Sequence, residues 1–187
     1  MTHPSSKKDS RGIWGVRTPF APSKCPFFYG WVIVFAATIG SIFSIPGQTM
    51  GFSVFTDVLI EELGLTRVEL SSAYCLGTVA SGLTLPWLGR LLDRWGERRM
   101  AVTSVLATGF VLFYLAKCDV LSQILGHVLP AGIAAFVVIC IGFYMIRAAA
   151  QGVLSMTCRN AIGKWFNYKR GLALAISGIL VSFCYSF

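Results

Sequence analysis

Arg147, Gln151 and Ser155 recur every four residues inside a long apolar run, so on a helix they drift only about 80° and form one polar stripe. Gln48 stands in a second apolar run beside Thr38, Ser41, Ser44 and Thr49. At about 100° per residue those five side chains fall within a sector of roughly 140°. A guanidinium near mid-membrane costs several kcal/mol, so Arg147 must face protein, water or an anion. An amide in lipid needs a partner in the same way. The chemistry open to this set is binding, above all of a negatively charged solute, because Coulomb attraction grows as the dielectric falls. The opposing reading of Arg147 is a structural salt bridge, yet no carboxylate lies inside any apolar run beyond Glu69 at the very start of one. The serines and threonines read more simply as bonding back to their own helix carbonyls.

Nothing in the chain points to catalysis. No nucleophile–base pair stands out, and Cys25, Cys75, Cys118, Cys140, Cys158 and Cys184 lack the paired spacing of a metal site. They read as small buried hydrophobes. His3 and His127 form no ligand cluster. No metal and no cofactor is expected.

The elements that carry the polar residues are set by hydropathy. The chain has 187 residues, 55% hydrophobic and only 13% charged, with mean hydropathy +0.69. A soluble domain would be about a quarter charged. Runs of roughly twenty apolar residues cross about 30 Å of hydrocarbon as helices. Without period-2 alternation a β-barrel is disfavoured. The expected fold is an all-α membrane protein with about five transmembrane helices: Tyr29–Phe52, Val68–Leu88, Met100–Ala116, Pro130–Cys158 and Gly171–Phe187. Pro46 is expected to kink the first. Gly77 and Gly82 would allow close packing of the second, and Gly171, Ala175, Gly178 and Ser182 would form a packing face on the fifth. Residues 1–28, rich in Ser, Pro and Lys, read as a disordered cytoplasmic tail. Residues 53–66 read as an outside loop opening, at Thr66 to Glu69, into a capping box. Residues 117–129 read as a second outside connection.

Net charge is +8, which could signal nucleic acid. Its placement argues otherwise. Thirteen of the 16 basic residues precede the first run, fall between 90 and 99, or fall between 159 and 170, all on one side if spans alternate. The positive-inside rule puts that side, and the amino terminus, in the cytoplasm. The expected location is the cell membrane, with the lipid bilayer as partner and no nucleic acid.

Gly89-Arg90-Leu91-Leu92-Asp93-Arg94-Trp95-Gly96-Glu97-Arg98-Arg99 places six charges in eleven residues between two apolar runs, so it must surface as a loop. Its form, G-x-L-x-D-R-x-G-x-R-R, resembles the loop between helices 2 and 3 of the major facilitator superfamily of secondary transporters. Arg147-Ala-Ala-Ala-Gln151-Gly152 resembles the R-x-x-x-Q-G pattern of helix 4 in the same family. The resemblance implies that Gly89 and Gly96 permit a tight turn and that Asp93, Arg94, Arg98 and Arg99 form a conformational gate, a charge network holding two halves together. Arg99 also reads as a plain headgroup anchor. Glu97 departs from the small or basic residue common there. The resemblance further implies helices 1 and 4 in equivalent repeats, so that Gln48 and Arg147 would face one central cavity. Gln151 and Ser155 would join them.

The family's twelve spans make this chain the N-terminal half of such a fold, truncated within its fifth helix. The segment from Trp165 to Ala173 and the Tyr29-Gly30-Trp31-Val32 entry are similar to the monocarboxylate porters and the oxalate/formate exchangers. No acidic residue precedes Gly30, however, and Ala175 stands where a glycine is common. The function this implies is alternating-access transport of a small organic anion, with a coupling proton brought in by the family alone. The other readings are a transporter of sugars, drugs or inorganic anions, and a truncated membrane protein that transports nothing.

Overall fold

A computed structural model describes residues 30–127, 130–166 and 170–185; the expected tail at 1–28 lies outside them. The described residues are helical, with no strand. The first expected span is two helices. α1 (Gly30–Ile42) ends before a 3₁₀ turn at Ile45–Gly47, and α2 (Thr49–Leu63) begins beyond it. Pro46 has no N–H to donate, and Gln48 is extended at φ −84°, ψ 158°. A kink was expected, and the chain breaks completely. Packing locks the break: a Cβ added at Gly47 would stand 2.7 Å from the Ala150 Cβ and 2.8 Å from the Ile146 carbonyl oxygen.

α2 carries the helix through the expected outside loop to Gly64, whose φ of 61° closes it in the left-handed conformation. The loop therefore shrinks to a turn. α3 (Arg67–Trp95) starts at the capping box: Glu69 N donates to Thr66 Oγ1 at 3.3 Å, and Thr66 N donates to Glu69 Oε2 at 2.8 Å. Its 29 residues span roughly 43 Å. Much of the expected 89–99 loop is the last part of this helix. The chain turns only at Gly96, φ 78°, and α4 (Glu97–Leu115) follows at once. Arginine is a good helix former, so an arginine-rich run need not end a helix.

α5 (Cys118–Gly126) fills most of the second expected connection. α6 (Ala131–Ile146), a π-helical segment at Arg147–Leu154 and α7 (Ser155–Trp165) form one continuous rod, and α8 (Arg170–Tyr185) packs on α1 and α7. The rod is the strut of the molecule. Leu154, Cys158 and Ile162 join Val34 and Ala37 of α1, while Ala135, Ile139 and Phe143 join Leu70 and Ala73 of α3. Ile146 and Ala150 meet Val111 of α4. Gly77 brings α3 against the rod's backbone, as expected, whereas Gly82 meets open space. The face of α8 expected to pack is turned outward. Ala173 and Ser177 are its buried residues, and Ser177 Oγ lies 2.8 Å from Thr38 Oγ1 of α1.

By length and composition two helices among the described residues can cross a membrane, Glu97–Leu115 and Gly132–Trp165; Gly30–Ile42 and Arg170–Tyr185 are shorter apolar helices. Phe35, Leu83, Phe110, Phe113, Ile179 and Phe183 are each at least 65% exposed. A belt of that kind is sheltered by lipid or protein, not water.

Candidate functional site

Arg147 opens the π segment, where the winding changes and Ser155 N donates five residues back to the Ala150 carbonyl. π segments are rare and often mark functional positions. The Arg147 guanidinium donates through Nη1 to the Tyr74 hydroxyl, and its Cζ lies 5.1 Å from the centroid of the same ring. Tyr74 is fixed in turn. Its ring stacks on Phe52 at 4.4 Å, Phe143 meets both rings edge-on, and its hydroxyl donates to Thr49 Oγ1 at 3.1 Å. An aromatic face favours the partly buried charge, and a guanidinium with five donors has several left for an incoming anion.

Ser44, fully buried at the α1–α2 break, draws two further residues together. Its hydroxyl donates to the Ser41 carbonyl at 2.6 Å and accepts from Gln48 Nε2 at 3.4 Å and Ser155 Oγ at 3.3 Å. Gln151 differs: its Oε1 is buried with no hydrogen-bond partner among the described residues. An orphaned acceptor costs roughly 1–3 kcal/mol.

The structure places Gln48, Arg147, Gln151 and Ser155 on the wall of one cavity of about 690 Å³, along with Thr78, Ser81, Arg159 and Asn160. A second cavity, of about 540 Å³, also touches Gln48 and Arg147; Phe52, Phe55, Tyr74 and Phe143 line it, with Glu62 and Asp119. Arg147 and Gln48 thus belong to both chambers. Sequence reasoning missed Arg159, although it continues the four-residue series 147, 151, 155. It also missed Tyr74, for which no local signal exists.

The gate residues lie apart from this site. Gly89, Asp93, Arg94, Gly96, Arg98 and Arg99 line neither chamber. Gly89 is inside α3, facing the Met156 side chain, and Asp93, Arg94, Arg98 and Arg99 are exposed with no ion pair among the described residues. The pair found at this turn uses the departing residue: Lys164 Nζ of α7 lies 2.5 Å from Glu97 Oε1. Residues 167–169 of the Trp165-to-Ala173 segment are outside the described residues.

Comparison with known proteins decides the family. The Major Facilitator Superfamily model matches residues 37–187. The chain belongs to the major facilitator superfamily. Members are transporters and integral membrane proteins. A chloramphenicol resistance protein of Pseudomonas aeruginosa is 22% identical to this facilitator chain over 84% of its length, and the match covers 43% of that relative. The chain therefore spans less than half of the relative's length. No solved structure matches it.

Proposed function

We propose that this chain forms part of a secondary transporter that moves a small organic anion across the cell membrane by alternating access. In this reading it contributes five N-terminal spans of a twelve-span protein, with its amino terminus in the cytoplasm. α1 with α2, α3, α4, the α6–α7 rod and α8 would be those spans. Arg147 receives the carboxylate, and Gln48, Gln151 and Ser155 orient it. The observation that carries the reading is Arg147, a cation set inside the second of the two apolar rods and facing two chambers at once. A positive charge held in a low-dielectric wall favours an anion over a neutral solute.

The resemblance to monocarboxylate porters supports a monocarboxylate as the anion. Coupling to a proton would need a carboxylate, and Glu62 and Asp119 are the ones lining a chamber. The gate role of Asp93, Arg94, Arg98 and Arg99 stays with the family resemblance, since it needs partners from beyond these helices. The test is uptake of a labelled monocarboxylate by cells expressing the protein with Arg147→Ala. Losing a hydrogen bond to a charged group costs roughly 1.5–3 kcal/mol, so uptake should fall about 10- to 150-fold at equal membrane abundance. Unchanged uptake would remove Arg147 from the mechanism.

A further inference from the structure

The two chambers differ in kind, and that difference narrows the solute. The larger one is the more polar of the two and holds Arg147 and Arg159 with no carboxylate on its wall. The smaller is walled by Phe52, Phe55, Tyr74, Phe143, Leu112 and Leu115, and its charged residues besides Arg147 are Glu62 and Asp119. Glu62 stands fourteen residues beyond Gln48, roughly 20 Å along α2, and α5, which carries Asp119, packs on α2, so the negative groups occupy the end away from Arg147. An anion is drawn to the Arg147 end and repelled from the other. A formate or oxalate ion would use the arginine and leave the aromatic chamber unused. That chamber, at about 540 Å³, lies in the range of pockets that enclose apolar ligands with a few placed polar groups.

We infer that the ligand is an amphiphilic monocarboxylate, its head at Arg147 and its apolar or aromatic tail in the chamber lined by Phe52, Phe55 and Phe143. This rests on Arg147 as the anion receptor and adds the tail. Among the described residues the guanidinium bonds only Tyr74, which leaves donors free for a carboxylate in the fork geometry. The rings that position Tyr74 are the rings that would hold the tail, so one aromatic cluster aims the charge and receives the apolar group. Glu62 and Asp119 set the selectivity at the far end: a second carboxylate on the tail would meet them.

The experiment is equilibrium binding to the purified full-length protein in lipid nanodiscs, corrected against empty discs. The probes are acetate, hexanoate, 3-phenylpropanoate and the neutral 3-phenylpropanamide. Each fully buried methylene is worth about fourfold in affinity, so hexanoate and 3-phenylpropanoate should bind at least about tenfold tighter than acetate. The amide should bind at least about tenfold weaker than 3-phenylpropanoate. Phe55 is 60% exposed, so Phe55→Ala leaves the buried clusters intact; it should cut the 3-phenylpropanoate to acetate ratio at least about threefold. Acetate binding as tightly as 3-phenylpropanoate would overturn the tail and leave the anion reading standing. The amide binding as tightly as the acid, or no carboxylate binding at all, would overturn both.

Discussion

Two regions of this molecule are rich in charge, and they handle it in opposite ways. At the α3–α4 turn, Arg90, Asp93, Arg94, Arg98 and Arg99 stand exposed, and the ion pair found there, Glu97 to Lys164, is partly exposed. At the start of the π segment one cation, Arg147, sits between two cavities, held by a phenol and a stack of rings. Water screens the first group almost fully, so each member contributes little alone. Arg147 is only partly exposed, and its surroundings are built in detail. The lesson is that the number of charges tracks how cheaply they are solvated, while an expensive single charge is met by specific neighbours.

Substitutions can break or sharpen that contrast. The largest effect is expected next to Arg147, where Gly47 presses on the rod: Gly47→Ala should destabilise the protein by about 1–3 kcal/mol, read as a lower unfolding temperature in detergent. Gly82→Ala, which meets open space, should leave that temperature within about a degree or two. Tyr74→Phe keeps the ring and removes the hydroxyl that aims Arg147. A hydrogen bond to a charged group is worth roughly 1.5–3 kcal/mol, so with that aim lost carboxylate binding should weaken about tenfold in a direct titration. At the turn, Glu97→Gln should cost at most about 1 kcal/mol in the same melting assay, and Arg99→Gln nothing measurable. A turn mutant that melted as early as Gly47→Ala would erase the contrast.

How much of this was legible in the sequence depended on range. The Thr66–Glu69 capping box was, because its partners lie three residues apart. The stripe of Arg147, Gln151 and Ser155 was, because periodicity alone puts them on one face. Helix ends were not: a charge run at 89–95 and another at 57–62 read as loops, yet both remained helical, since water accepts a helix as readily as a coil. The full break at Pro46 depends on Gly47 packing against Ala150, more than a hundred residues away, and Tyr74 reaches Arg147 across 73 positions. No local pattern encodes such contacts. The outward turn of Gly171, Ala175, Gly178 and Ser182 on α8 has the same cause, as small residues license packing without naming the partner.

The central claim is that Arg147 projects positive potential into a chamber that solutes enter from water. It is tested most directly by placing a cysteine at Ser155, on that chamber's wall, in membranes. Its modification rates by an anionic and a cationic water-soluble thiol reagent are then read at the peptide level by mass spectrometry. The account predicts faster reaction with the anionic reagent and a loss of that preference when Arg147→Gln is added. A cysteine that neither reagent reaches, or a preference that survives the loss of Arg147, would contradict it.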